Sequence, residues 1–168
     1  MPHFYPKHLE GFPYVGPLSY ALAFSTENRA VIFKEPAVID LVVEQFLRAG
    51  RERGFTIVVY CLMPDHAHLV VDGERDDSSC LAFIKLAKQY SGYYYKQQSG
   101  HQLWQRYGYE HVIRNYMERA LTIRYVLANP VRAGLVADPR RYHGLGSQTH
   151  TVDELMEISE YRGAYVLD

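Results

Sequence analysis

Cysteine is nearly absent from this chain, and what little there is excludes two classes of protein. Of 168 residues only two are cysteine, Cys61 inside an apolar run and Cys80 at an expected helix start. Two such residues make neither a disulfide framework nor the paired spacing of a zinc site, so both are expected to be free thiols. Long hydrophobic runs are also missing. No stretch approaches the 18 or more apolar residues of a membrane span, and the N-terminus has no charged start followed by a hydrophobic signal core. The expectation is a cytoplasmic, nucleoid-associated protein with no membrane partner. Repeats, low-complexity tracts and dividing linkers are absent as well, which points to one domain over 1–168, with a core at about 16–136 and a C-terminal extension at 137–168.

Net charge is small, −1 over the chain, but it is unevenly placed. Residues 85–136 hold eight basic residues against two acids, a balance of +6, while the rest of the chain sums to −7. A basic middle on an acidic body is how a phosphate-binding face hides inside a neutral total. This stretch is expected to form one side of an active-site groove.

The order of elements follows from periodicity. Leu18 to Ser25 reads as a strand, and Pro36 opens a helix that stops near Gly50–Gly54. Phe55 to Met63 is an almost unbroken apolar run of strand length, expected to be buried on both faces. Pro64-Asp65 turns the chain into a second strand, His66 to Val71. Asp76 to Ser79 offer N-caps for a long helix to about Gln98. A loop around Trp104 precedes a short strand at Tyr109–Ile113, and a helix follows from Tyr116 to Ala128. Pro130 is expected to open a further helical turn that Gly134 ends. Strand, helix, strand, strand, helix, strand, helix is the α+β, ferredoxin-like (RRM-like) plan, an antiparallel sheet with helices packed on it and an added C-terminal helix. Residues 1–14 read as an irregular lead-in, and the acidic last thirty carry no clear pattern.

His66-Ala67-His68 is the first chemical constellation. On a strand, residues two apart face the same side about 6.8 Å from each other, so two imidazoles can converge on one cation. Tyrosine is abundant, with fifteen in the chain, so no single tyrosine stands out by residue type. Tyr90, Tyr93, Tyr94, Tyr95 and Tyr116 read as packing groups or as surfaces for stacking bases.

Met63-Pro-Asp-His-Ala-His-Leu-Val70, Leu103-Trp-Gln-Arg-Tyr-Gly-Tyr-Glu-His-Val-Ile-Arg-Asn115 and Tyr125-Val-Leu-Ala-Asn-Pro-Val-Arg-Ala-Gly-Leu-Val136 occur in that order. With Phe24-Ser-Thr-Glu-Asn-Arg29 they resemble the IS200-like transposases, single-domain HUH endonucleases, and in particular the REP-associated tyrosine transposase branch. The resemblance spans roughly 18–147. It implies a metal-dependent single-strand DNA endonuclease and strand transferase that forms a 5′-phosphotyrosine through Tyr125. It further implies His66, His68 and Asn129 as ligands of Mg²⁺ or Mn²⁺, and single-stranded or hairpin DNA as partner. Residues i and i+4 of a helix share a face, so Tyr125 and Asn129 can approach one phosphate together. Asn before Pro is equally a common helix break. Lys85, Lys88, Arg114, Arg124 and Arg132 are the expected DNA contacts, with Lys96 and the nearby tyrosines lining a single-strand channel. Glu110 and His111 are expected to support the site. Tyr142 to Ser147 is a loose match to the branch, and the chain is less basic than its resemblance implies.

Two other functions fit parts of the pattern. A non-catalytic nucleic-acid-binding module would use the same sheet without Tyr125. A plain metal hydrolase would need an acidic third ligand; Asp65 is expected on the strand face opposite His66, and Asp72 about 13 Å from His68. Monomer and homodimer both remain open.

Overall fold

The computed structural model describes residues 9–163. The first eight positions of the lead-in expected at 1–14, and both ends of the domain expected at 1–168, lie outside the described residues. Nine elements follow in order: β1 Ser19–Thr26, α1 Pro36–Arg53, β2 Phe55–Met63, β3 His66–Gly73, α2 Cys80–Ser99, β4 Trp104–Ile113, α3 Tyr116–Arg132, β5 Leu145–Gly146 and α4 Val152–Ile158. The strands form one antiparallel sheet in the order β4-β1-β3-β2-β5. This is the α+β plan expected from the sequence. Among the described residues no helix is long and apolar enough to cross a membrane.

Strand alternation assigns each side chain to one of two faces. Tyr20, Leu22 and Phe24 of β1, with Ala67, Leu69 and Val71 of β3, face α1 and α2. There Phe24, Phe46 and Trp104 pack ring against ring at 5.7–6.0 Å, and the Trp104 indole donates to Ser91 Oγ at 2.8 Å. The residues between them, His66, His68, Val70 and Asp72, face α3. A bulge in β2 between Ile57 and Val59 sets Val59, Cys61 and Met63 on that same face, opposite Val70, His68 and His66. Ile123, Val126 and Leu127 of α3 and Leu155 of α4 complete this second core. Because helices cover both faces, β2 is buried nearly throughout, as its unbroken apolar run requires.

Element boundaries depart from the sequence reading at three places. β4 starts at Trp104, five residues before the expected strand, because Thr26 and Phe24 pair with Trp104 and Gly108. Helix α3 does not break at Asn129: it runs through Pro130 to Arg132. Proline's fixed φ is helical, but an interior proline loses one hydrogen bond and crowds the carbonyl four residues back; Pro130 sits near the C-terminal end of the helix and is buried in its packing. The unassigned tail forms β5 on the edge of β2 and then α4, whose N-terminus is a capping box between Thr151 and Glu154. Tyr142 Oη donates to the Leu62 carbonyl at 2.7 Å and pins the segment to the sheet. Both cysteines are free and buried.

Arg119 on α3 grips Asp72 on β3 with two hydrogen bonds of 2.6 and 2.8 Å, and Ser19 Oγ donates to the same carboxylate at 2.7 Å. The pair is about three-quarters buried on both sides. Charge-assisted bonds of this kind are worth about 1.5–3 kcal/mol when removal strands the partner. Asp72→Ala should therefore lower stability by about 2 kcal/mol, a fall of about 4–8 °C in melting temperature. Calorimetry that finds an unchanged midpoint would show the pair to be inert.

Candidate active site

The site is built on the β2–β3 turn. Pro64 offers its carbonyl to the amides of Ile32 and Phe33, and Asp65 offers its own to the amide and hydroxyl of Thr26. The loop after β1 thus clamps the turn that leads into the histidines. Within that loop Asn28 and Arg29 both have positive φ, 54° each, a strained conformation for non-glycine residues. The Arg29 guanidinium reaches back to Asp65 at 3.1 Å and to Ser25 Oγ at 2.8 Å.

Asp65 accepts a hydrogen bond from His66 Nδ1 at 2.7 Å. A carboxylate only accepts, so this contact places a proton on Nδ1 and makes Nε2 the lone-pair nitrogen of the neutral ring. The sequence expectation for Asp65 is corrected here. It sits in the turn, where strand alternation does not apply, and its carboxylate touches His66 instead of facing away.

His66 and His68 project from the same face with ring centroids 4.8 Å apart and planes at 88°. His68 pairs across the sheet with Ala23 and Cys61. Burial, and then the neighbouring His66 and Arg29, push the His68 imidazole down to about 3, so it is neutral and able to donate its lone pair at any ordinary pH. Tyr125 stands edge-on to His68, ring centroids 5.8 Å apart, with its ring partly exposed. The Arg132 guanidinium lies 5.5 Å from the Tyr125 ring.

Asn129 is one turn beyond Tyr125 on α3. Its amide nitrogen, a donor, is buried and has no hydrogen-bond partner, which is uncommon for a buried polar group. Two converging imidazoles, one with its tautomer fixed, fit a divalent cation that takes mixed nitrogen and oxygen ligands; the unpaired Asn129 nitrogen is a donor, so a part for Asn129 in such a site would fall to its Oδ1. An acid-rich metal site is a different matter: no group of three His, Cys, Asp or Glu residues among those described is arranged to hold a metal. Asp72, the distant acidic candidate, is engaged by Arg119 and Ser19.

The expected DNA contacts do not lie on one groove, which corrects the reading of 85–136 as a single wall. Lys85 and Lys88 are on α2, on the face of the sheet away from the histidines, and Lys88 Nζ donates to the Gln105 and Arg106 carbonyls. Arg124 Nε donates to the Ser159 carbonyl and ties α3 to the end of α4. Arg114 is exposed in the turn before α3, its amide bonded to Glu118. Only Arg132 adjoins Tyr125. His111 pairs with Glu118, joining β4 to the first turn of α3. Three residues the sequence reading did not single out, Arg29, Asp72 as an anchor, and Arg119, all hold the site in place. Their signal, charges that find partners far along the chain, is not local.

The model of the family "Transposase IS200 like" matches residues 14–123, more than half of the chain, and the chain belongs to that family. The match includes both histidines and ends two residues before Tyr125. A Haemophilus influenzae protein described as a REP-associated tyrosine transposase is 32% identical over 95 residues, 49% of this chain and 53% of that protein. The chain therefore spans about half the length of the curated relative it matches. Among solved structures, a REP-associated tyrosine transposase bound to a REP hairpin superposes with a TM-score of 0.69 at 18% identity, over 82% of this chain and 81% of that one. A Deinococcus radiodurans protein described as a transposase gives 0.52 at 21%, over 71% and 95%. Likeness at such identity speaks to the fold.

The depressed His68 pKa has a consequence for the metal-free protein. The unfolded chain takes up a proton at His68 near the ordinary imidazole value of about 6.5, whereas the folded chain does so only near 3. The contribution to stability is thus complete above the unfolded value and is lost as pH falls toward the folded one. In the presence of chelator the melting temperature should decline from about pH 7 to pH 5, and His68→Gln should flatten that decline. A His68 ring whose nitrogen chemical shifts report protonation at about pH 6 would contradict the assignment.

Proposed function

We propose that this chain is a metal-dependent single-strand DNA endonuclease and strand transferase in which Tyr125 is the nucleophile. The observation that carries the reading is the approach of the Tyr125 ring to His68, 5.8 Å between centroids, on a face where His66 presents a free lone pair.

The Tyr125 phenol oxygen attacks the phosphorus of a scissile phosphodiester. A new Oη–P bond forms, and the bond from phosphorus to the 3′-oxygen breaks. The phenol proton is given up to solvent as Oη attacks, and the departing 3′-oxygen takes one to become a 3′-hydroxyl. The 5′-phosphate remains on Tyr125, so the energy of the broken bond is kept for attack by another 3′-hydroxyl, which rejoins the strand. His66, His68 and Asn129 would hold Mg²⁺ or Mn²⁺, which when bound offsets the charge building on the phosphate in the transition state. Asp65 holds the His66 ring through Nδ1, and Arg29 holds Asp65 in place. Arg132 stands where it can contact the phosphate held against Tyr125. The known hairpin ligand of the REP-associated structural neighbour supports a hairpin next to the cut strand as the natural substrate here.

Tyr125→Phe removes one oxygen and almost no volume, from a ring that is partly exposed. Fold and DNA affinity should be retained, while cleavage should fall by at least about a thousandfold, or about 4 kcal/mol of barrier. With wild type and Mg²⁺ or Mn²⁺, a 5′-labelled strand should give a free product ending in a 3′-hydroxyl. A 3′-labelled strand should run attached to protein on a denaturing gel. Full activity of Tyr125→Phe would move the nucleophile elsewhere, and cleavage without an adduct would favour a metal hydrolase.

A further inference from the structure

Beyond the histidine–tyrosine site, a cleft of about 1070 Å³ lies between α2 and β4. Its lining is strongly one-sided in charge: Lys85, Lys88, Lys96 and Arg106 against a single acid, Glu110. In a chain of net charge −1 such a concentration marks an anion site. Aromatic rings stand at its mouth. Tyr93 and Tyr107 are 59% and 73% exposed, a large apolar surface to leave in water; Tyr93 meets Tyr94 edge-on, and the Arg106 guanidinium lies over the Tyr107 ring at 5.3 Å. Cations beside exposed rings are what a single strand needs, because unpaired bases offer faces for stacking while phosphates need neutralising. A duplex hides those faces.

The cleft is joined to the site by the sheet itself. Ala23 on β1 pairs with His68 on one side and with Tyr109 on β4 on the other. Strands lie about 4.8 Å apart, so Tyr109 is only about 10 Å from His68 across the sheet. The residues of β1 on this face are small, Ser19, Ala21, Ala23 and Ser25, and stay partly exposed although β1 is an inner strand. Ala23, between His68 and Tyr109, is the small partly exposed step from the histidines to the β4 edge, and Tyr109 also lines the cleft.

We propose that the α2–β4 cleft holds the DNA single strand where it continues from the scissile phosphate, after crossing Ala23 and bending over the β4 edge. The strand's phosphates lie along Lys85, Lys96 and Arg106, and its bases stack on Tyr93 and Tyr107. Lys88 braces the floor by bonding two β4 carbonyls. The cleft is thus a grip on DNA placed on the opposite side of the sheet from the chemistry. This rests on the reading that the chain acts on single strands.

Gly92 supplies a test that spares the fold. It lies mid-helix in the cleft wall, and a Cβ there would meet only Trp104, at 3.9 Å. Gly92→Glu should leave the melting temperature equal or higher, since glutamate is the better helix former, while placing a negative charge in the strand's path. Binding is read by fluorescence anisotropy in a Tyr125→Phe background, with a labelled oligothymidylate of about 20 nucleotides. Gly92→Glu should weaken binding at least about tenfold, and the combined Lys85→Ala, Lys96→Ala and Arg106→Ala should also reduce the salt slope by about 2. Tyr107→Ala should cost about fivefold or more through lost stacking. Unchanged affinity in Gly92→Glu and in the triple variant would overturn the proposal. So would loss in the triple variant alone, with Tyr107→Ala silent and polyglutamate displacing the strand equally well, which would mark a surface for acidic polypeptides. Adduct formation by wild type is scored separately: adduct with normal binding in the variants defeats the cleft alone, and cleft binding without adduct defeats the tyrosine chemistry alone.

Discussion

The two-pronged ion pair between Asp72 and Arg119 decides where α3 crosses the sheet, and the position of Tyr125 follows from it. Asp72 and His68 share a face of β3 and stand about 13 Å apart along the strand. Arg119 and Tyr125 are separated by about 9 Å of helix rise. With Arg119 held on Asp72, α3 runs opposite to β3 and delivers Tyr125 beside His68. Ile123, Val126 and Leu127 seat the helix against the sheet, but apolar packing tolerates sliding, whereas a bidentate pair fixes register. At mid-helix a second tie is made by Arg124 on the Ser159 carbonyl. A helix tied at two points costs little reorganisation when substrate arrives.

The same face carries a second constraint, imposed by the turn. The orientation of the His66 ring is set by a chain of three residues. Arg29 holds Asp65, and Asp65 holds His66 by Nδ1. The strain at Asn28 and Arg29 is sustained because the turn is bonded to the loop at Thr26, Ile32 and Phe33. On the proposed reading, chemistry and DNA retention are divided by the sheet between its two sides, which would reconcile a near-neutral chain with an anionic substrate.

Much of this was legible in the amino-acid order. His66-Ala67-His68 follows an apolar run that must be a buried strand, so alternation alone brings the rings together. The ferredoxin-like order came from periodicity, and Ser79 caps α2 as its hydroxyl suggests. Tyr125 was singled out by resemblance, since fifteen tyrosines dilute any residue-type argument. Asp72–Arg119 was not legible, because the partners are 47 residues apart and a charged side chain is by default solvated. The span from Trp104 to Gly108 lacks alternation, so only its pairing with β1 reveals a strand. Pro130 read as a break because propensity weighs the lost hydrogen bond and not the burial that offsets it. The division of the basic stretch between two faces depends on where α2 and α3 pack, which charge counting cannot see.

Peptide mapping of the protein–DNA adduct tests the central claim most directly. Wild-type protein is incubated with a cleavable single strand and Mn²⁺, the DNA is digested to a stub, and the peptides are sequenced by tandem mass spectrometry. The account predicts a nucleotide on the phenol oxygen of Tyr125 and on no other residue. A nucleotide on Tyr109, Tyr116 or any other tyrosine, with Tyr125 unmodified, would contradict it.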